Sequence, residues 1–149
     1  MKVNKFNIRV YAFIIKGQSI LISDEKGSGH YFTKFPGGGL ELEEGLKEGL
    51  ERELQEELNL SFEVGDLVHI TESFIQSKLR PSEQVIAVYY LANSSDIDFV
   101  EDGSVPENAD QLEEYEVFKW VPLRDIKPEM LTFESDKQAL KVLLDTLNA

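Results

Sequence analysis

Apolar and polar residues alternate along the start of the chain, and apolar residues then fill both faces. Every second position from residue 6 is apolar (Phe6, Ile8, Val10, Ala12, Ile14), and Tyr11, Phe13 and Ile15 fill the positions between them further on. Alternation is typical of a half-buried β-strand, whereas a continuous apolar run is typical of a strand covered on both faces. The pattern predicts a strand over residues 5–15 whose second half is buried on both sides.

Further short apolar segments, separated by turn-forming residues, also favour strands. They cover residues 19–23, 31–35, 64–75, 85–92 and 116–121. Residues 24–29 are expected to form a turn or surface loop. Residues 93–112 are rich in Asp, Glu, Ser and Asn, which predicts a surface loop of about 20 residues. Residues 123–126, after Pro122, could make one helical turn.

The apolar period lengthens to that of an amphipathic helix in two places. The first helix is expected to begin after Gly45, with Glu48 at its third position and Asn59 as a left-handed C-terminal cap. Its apolar stripe consists of Leu50, Leu54 and Leu58. A capping box over residues 135–138 predicts the start of a final helix. The apolar face of that helix consists of Leu140, Leu143, Leu144 and Leu147.

This order of strands, helix, strands and helix predicts an α+β fold, an α/β/α sandwich in which two helices flank a mixed central sheet. The length of 149 residues, with 42% hydrophobic and 29% charged residues, fits one soluble globular domain over residues 1–149. No internal repeat or linker divides the sequence.

The composition also excludes several classes of function. The net charge is −13, so duplex nucleic acid is a poor expected partner, because such binding depends on Lys and Arg that neutralise phosphates. The absence of cysteine excludes disulfides and thiolate metal sites. Neither a signal-peptide core nor an apolar run of membrane-spanning length is present, so a cytoplasmic protein without membrane association is expected.

The most unusual segment joins a glycine loop at residues 36–39 to the first helix. Between residues 41 and 57 it holds eight glutamates and only two cations. At about 100° per residue, Glu53, Glu56 and Glu57 lie within a narrow arc beside the apolar stripe. Mg²⁺ prefers such oxygen ligands together with water and substrate phosphate. The segment therefore predicts a metal-phosphate site, and the alternative for these residues is a solvated acidic helix face.

The spacing in this segment resembles the signature of the Nudix hydrolase family. Gly38 is followed after five residues by Glu44, and seven more lead to Arg52 and the run Glu-Leu-Gln-Glu-Glu-Leu-Asn-Leu. One fixed position departs from the signature, where Asn59 replaces glycine. The order of elements on either side is also similar to a Nudix fold.

The resemblance implies hydrolysis of a nucleoside diphosphate linked to another moiety, by water attack on phosphorus with Mg²⁺ or Mn²⁺. It implies that Glu53, Glu56 and Glu57 are catalytic and bind the metal, and that the Gly38 carbonyl adds a ligand. Glu44 and Arg52 correspond to a structural salt bridge between loop and helix. Either Glu56 or Glu57 could take the proton of the attacking water.

Several roles outside the signature remain open. Family members often add a carboxylate from the segment before the late strand, for which Glu113, Glu114 and Glu116 are candidates, and Glu101 and Glu107 are more distant ones. Arg9 and Lys34 are candidates for substrate phosphates, whereas Lys78 and Arg80 are interpreted as surface residues. The aromatic residues that could stack a base are Tyr31, Phe35, Phe74 and Tyr115.

The substrate also remains open, between oxidised nucleotides and nucleotide sugars among others. The alternative function is a non-catalytic Nudix-like domain that senses a nucleotide. The complete set of signature glutamates and the absence of an added DNA-binding region count against it. A homodimer would be consistent with the family, although the sequence offers no independent sign of one.

Overall fold

A computed structural model describes residues 2–148 and contains eight strands and two α-helices in that range. The strands are β1 (Lys5–Phe13), β2 (Ile15–Lys16), β3 (Ser19–Gly27), β4 (His30–Lys34), β5 (Gly37–Gly39), β6 (Glu63–Ile70), β7 (Glu83–Asn93) and β8 (Tyr115–Pro122). The helices are α1 (Leu46–Leu58) and α2 (Glu134–Leu147). Neither helix is long and apolar enough to cross a membrane, and no other α-helix occurs between residues 2 and 148.

Two four-stranded sheets carry the fold. The first has the order β5-β1-β7-β6 and is mixed, because β1 runs parallel to β7 while its other pairs are antiparallel. In the second sheet, β3 pairs with β2, β4 and β8, in each case antiparallel. The predicted α+β architecture with a mixed central sheet is confirmed.

The two-residue period of β1 and β7 divides the protein interior into two cores. One core lies against α2 and contains Tyr11, Phe13, Val85, Ala87 and Tyr89 together with Leu140 and Leu143. The other lies against α1 and contains Val10, Ala12, Ile14, Val88 and Tyr90 together with Leu50 and Leu54. Because alternate residues of one strand point to opposite faces, the helices lie on opposite sides of the mixed sheet. The two-sided burial predicted for the second half of β1 is also confirmed.

Some predicted boundaries are wrong. β3 continues to Gly27, because it pairs with β8 over residues 19–26, and the turn predicted over residues 24–29 is confined to its last part. β6 ends at Ile70 instead of residue 75, after two irregularities in its pairing with β7. By contrast, the single turn predicted over residues 123–126 is present, because the Ile126 N–H donates to the Pro122 carbonyl at 3.1 Å with the spacing of an α-helical turn.

The ends of the helices were predicted with different success. At α1, Gly45 is the N-cap and its N–H donates to Glu48 Oε1 at 3.2 Å, while Asn59 has left-handed φ and ψ of 56° and 34°, as predicted. At α2 the predicted capping box is wrong. The N-cap is Phe133, two residues before the predicted Ser135, and Asp136 is buried and accepts a hydrogen bond from the Tyr89 hydroxyl.

Candidate active site

The glycine loop lies directly on the glutamate face of α1. The Gly37 N–H donates to Glu57 Oε2 at 3.3 Å, and Gly37 has a φ of 139°, which side chains rarely allow. A Cβ on Gly38 would lie 2.5 Å from Glu53 Oε2, closer than real contacts permit. Glycine is therefore required at position 37 by the backbone conformation, whereas at position 38 a larger residue would displace the Glu53 carboxylate.

Arg52 ties this loop to the helix. Its Nε and Nη2 donate to the two carboxylate oxygens of Glu44 at 2.9 and 2.7 Å, and Nη2 also donates to the Gly39 carbonyl at 3.0 Å. Its Nη1 reaches Glu53 Oε1 at 3.1 Å and Glu56 Oε2 at 3.3 Å. The hydrogen bonds from Arg52 lower the pKa of Glu44 to about 2. One guanidinium thus positions a loop carbonyl and three carboxylates.

Lys34 is buried beneath the loop, although it is a cation. Its Nζ donates to the carbonyls of Gly37 at 3.1 Å and Phe35 at 3.2 Å, and it forms an ion pair with Glu25 at 3.1 Å. Burial by itself would lower the pKa of Lys34, but Glu57 and Glu25 outweigh burial and raise it. Lys34 therefore stays charged and holds the loop from below.

The carboxylates near the loop are electrostatically coupled. Burial raises the pKa of Glu57 to about 8; Lys34 opposes this shift, and Glu116, Glu25 and Glu53 add to it. Burial, with Glu25 as the next cause, raises the pKa of Glu116 to about 7. A nearby cation would favour the charged form of each carboxylate.

The donor set fits a hard divalent cation. Within residues 2–148, no three His, Cys, Asp or Glu side chains converge tightly enough to form a complete ligand cluster. Arg52 holds Glu53 and Glu56, while Glu57 accepts from the loop, so the carboxylates are anchored to different partners. The candidate ligand atoms are nevertheless all oxygens, and the pKa of Glu57, raised first by burial and further by Glu116, Glu25 and Glu53, is one that a bound cation would lower.

A cleft of about 530 Å³ extends away from the glutamates. Glu53, Glu57 and the glycine loop line one end of this cleft. Residues 75–80, 132–135 and 137 line the other end, since Ile75 bonds to Val85 opposite Asn7, whereas the glycine loop pairs further along β1 at residues 9–11. The rings of Phe32 and Phe133, 5.6 Å apart, contribute an aromatic wall. The volume suits a small-molecule ligand, which would extend from the carboxylates past the aromatic pair.

The structure brings together only some of the residues proposed from sequence. Arg9 and Lys34 both line the cleft, and the Arg9 Nε donates to the Tyr11 hydroxyl. Glu56 is 59% exposed and does not line this cleft. Glu53 and Glu57 do line it, next to Gly38.

Of the candidates for an extra carboxylate, the structure likewise places only some near the glutamates of α1. Glu116 faces Glu25 across the β3–β8 pair and shares a shallow second hollow with Glu57 and Glu101. Glu113 and Glu114 are exposed in the segment before β8, and Glu107 is exposed in the long loop. Among these candidates, Glu116 and Glu101 lie beside the glutamates of α1.

Sequence reasoning missed Glu25, Phe32 and Phe133. Glu25 falls in the segment interpreted as a turn, and no local pattern shows that β3 continues and pairs with β8 there. The two phenylalanines meet only because β4 contacts the segment before α2. Of the aromatic residues proposed instead, Phe35 is completely buried in the core and Tyr31 bonds to Asp110 at 2.7 Å.

Comparisons with known proteins agree with this geometry. The NUDIX domain profile matches residues 5–142. The structure of the MutT protein from Methanosarcina mazei Go1 is 23% identical with a TM-score of 0.68, and the alignment covers 99% of this chain and 98% of that one. A NUDIX hydrolase from Nitrosomonas europaea is 18% identical with a TM-score of 0.69, covering 95% and 90%. The E. coli ORF135 protein is 22% identical with a TM-score of 0.64, covering 97% and 92%.

No curated protein matches the sequence. At the identities of the solved structures, the likeness establishes the shared fold. The family profile covers most of the chain and includes every element that builds the site. The chain belongs to the NUDIX family and is a Nudix hydrolase.

Proposed function

We propose that this Nudix hydrolase is a metal-dependent pyrophosphohydrolase that cleaves a nucleoside diphosphate linked to another moiety. Nudix hydrolases act on small nucleoside diphosphate derivatives and generally use divalent metal ions. The observation that carries the proposal is the position of Glu53 and Glu57, which lie against the glycine loop at one end of a cleft of substrate size.

The proposed ligands for Mg²⁺ or Mn²⁺ are Glu53, Glu56 and Glu57, with the backbone of Gly38. A bound divalent ion would neutralise charge on the pyrophosphate and lower the pKa of a water molecule bound to the ion. The chain supplies the position of these ligands, because Arg52 orients Glu53 and Glu56 while the Gly37 N–H orients Glu57.

Glu57 is better placed than Glu56 to accept the proton of the attacking water. It lines the cleft beside Glu53, whereas Glu56 lies outside it. Arg9 lines the same end of the cleft, and we propose that its guanidinium binds a phosphate oxygen of the substrate. Lys34 supports the loop from below through the Gly37 carbonyl. Glu116 is the candidate for the additional carboxylate.

An activity screen tests the proposal. Wild type is incubated with dinucleoside polyphosphates, nucleotide sugars, ADP-ribose and oxidised nucleoside triphosphates, with Mg²⁺, with Mn²⁺ or with a chelator. Hydrolysis with either metal and none with the chelator is expected. Glu57→Gln should lower kcat by about 10² to 10⁴-fold. Glu51→Gln, an exposed residue of the same helix, is the matched control and should retain activity.

Two results would overturn the proposal. The first is no release of product from any member of the panel, and the second is a Glu57→Gln variant as active as wild type. Thermal stabilisation by a nucleotide without turnover would instead support the sensing domain. The single-domain organisation, the cytoplasmic location and a homodimer stay predictions.

A further inference from the structure

The end of the cleft remote from the glutamates has the opposite charge. Lys78, Arg80 and Lys137 line it with one carboxylate, Glu134. We call these three cations and the walls that present them the cationic end. This excess of cations over carboxylates is unusual in a chain with 28 acidic and 15 basic residues. At the glutamate end, by contrast, three carboxylates meet two cations, which are Arg9 and Lys34.

Contacts across the cleft hold the walls of the cationic end together. Lys78 Nζ donates to the Thr132 carbonyl at 3.3 Å, which joins the segment between β6 and β7 to the segment before α2. Thr132 is in turn fixed to β4, because its N–H donates to the Thr33 carbonyl at 3.0 Å and its hydroxyl accepts from the Thr33 N–H at 2.8 Å. Lys137 lies in the first turns of α2, directly after this junction.

The turn that carries Arg80 is also well supported. The Ser77 N–H donates to the Glu83 carbonyl at 2.8 Å, and the Glu83 N–H donates to the Arg80 carbonyl at 2.9 Å. The Arg80 N–H donates to Ser77 Oγ at 3.0 Å. These hydrogen bonds order the turn that carries Lys78 and Arg80 before a ligand binds, which reduces the entropy lost on binding.

Two of the three cations are available to a ligand. Among residues 2–148, neither Arg80 nor Lys137 forms an ion pair, while Glu134 lies within 3.5 Å of the Gln138 amide. The Arg80 guanidinium and the Lys137 ammonium line the same cleft and suit a phosphate, which Arg can bind through two parallel hydrogen bonds.

We propose that the cationic end binds a second phosphate of the substrate, remote from the pyrophosphate that is cleaved. The preferred substrates are then nucleoside diphosphate derivatives that carry a further phosphate, for example on a ribose hydroxyl. This inference rests on the proposed function, since it assigns the substrate class of the same cleft. The two ends act on different groups of one ligand: carboxylates at one end on the pyrophosphate, cations at the other on the added phosphate.

Matched substrate pairs test the inference. NADH and NADPH differ by one ribose phosphate, as do dephospho-coenzyme A and coenzyme A, so each pair isolates the added group. We expect kcat/KM to be about 10-fold or more higher for the phosphorylated member at low salt. The ratio should decrease as salt rises, because the groups are exposed and salt screens them.

Charge variants locate the effect. In the double variant Arg80→Gln/Lys137→Gln, the ratio of kcat/KM between the phosphorylated and unphosphorylated member of each pair should be close to one. The control, Lys127→Gln/Lys141→Gln, removes two exposed cations outside the cleft and should preserve the ratio. Equal kcat/KM within both pairs for wild type, or a ratio unchanged in the cleft variant, would overturn the inference.

A binding measurement separates this inference from the proposed function. Titration calorimetry of the Glu57→Gln variant with each pair measures affinity without turnover. Tighter binding of the phosphorylated members that depends on Arg80 and Lys137 supports the inference, even if wild type hydrolyses nothing and the proposed function fails. Equal affinities within each pair overturn it, even if wild type hydrolyses other pyrophosphates.

Discussion

The two ends of the cleft differ in charge, in burial and in what holds them in place. At the glutamate end, Lys34 is buried and Arg52 connects Glu44, Glu53 and the Gly39 carbonyl through short hydrogen bonds. At the cationic end the charged side chains extend from a supported turn and from the first turns of a helix.

This difference matches two kinds of chemistry. Hydrolysis requires oxygen atoms whose positions are fixed to within a fraction of an ångström, and a dense network of hydrogen bonds supplies this precision. Recognition of a remote phosphate by exposed cations tolerates looser geometry, because charge attraction acts over several ångströms in water. Substitutions at the glutamate end should therefore impair the reaction itself, whereas those at the cationic end should change which substrate is preferred.

After Glu57→Gln, the largest effect is expected from Gly38→Ala. The new methyl would meet the Glu53 carboxylate at 2.5 Å and displace it, so kcat/KM should fall by about 10²-fold with little change in Tm. Gly39→Ala is the matched control, because the nearest atom to its Cβ is an Arg9 nitrogen at 3.7 Å. Steady-state kinetics and thermal unfolding of both variants measure the difference. Equal activities of the two variants would contradict the role of Gly38.

Arg52→Lys should have the next largest effect. Lysine keeps the charge but cannot reproduce the two-pronged contact with Glu44 together with the contacts to Glu53 and Gly39. Activity or metal affinity should fall by about 10 to 100-fold, which a titration of activity against Mg²⁺ concentration measures. Lys47→Arg, at an exposed position of the same helix, is the control. A metal titration that coincides with that of wild type would show that the brace is dispensable.

Asp136→Asn tests the buried start of α2. Burial raises the pKa of Asp136 to about 6, above its usual 3.8, so the folded state holds a proton that the unfolded state loses between about pH 4 and 6. The free energy of unfolding of wild type should therefore fall by on the order of 3 kcal/mol as the pH rises through this window.

The side-chain amide of the Asp136→Asn variant stays neutral at every pH. The free energy of unfolding of this variant should therefore not show the same decrease as the pH rises. Denaturant unfolding between pH 4 and 8 compares the two proteins, and Asp145→Asn, an exposed position of the same helix, is the control. Parallel pH profiles of wild type and Asp136→Asn would show that this carboxylate does not carry the dependence.

The smallest effect is expected at the C-terminal end of α1. Asn59 has a φ of 56°, a conformation that glycine adopts without strain, so Asn59→Gly should stabilise the protein by about 0.5 kcal/mol. Asn148 ends α2 with a right-handed φ of −91°, so Asn148→Gly should not stabilise it. Thermal unfolding should show a small rise in Tm for the first variant alone. Similar changes in both would mean that backbone conformation is not the cause.

Features that depend on neighbouring residues along the chain were predictable. The ends of α1 follow from Gly45, Glu48 and Asn59, because capping is decided by residues within one turn. The Glu44–Arg52 pair, which the resemblance to the Nudix signature implied, joins the helix to the loop that leads into it. The continuous apolar run in the second half of β1 also predicted that both faces of the strand would be covered there.

Features that depend on pairing between distant segments were not predictable. Asp136 resembles part of a solvent-facing capping box in sequence, but the Tyr89 hydroxyl, 47 positions earlier, takes its carboxylate into the core. Glu25 resembles a turn residue until β8 pairs with β3 and places Glu116 opposite it. In each case, burial against a distant partner outweighed the local preference.

The sequence by itself determined that Glu53, Glu56 and Glu57 share one face of α1 directly after the glycine loop, because a helix has a fixed period. Only the tertiary structure decided the cationic end. Lys137 lies more than 50 positions after Lys78 and Arg80, and the three share one cleft because the Lys78 ammonium bonds to the Thr132 carbonyl and β4 holds Thr132 in place. Local periodicity sets the former arrangement, and long-range packing sets the latter.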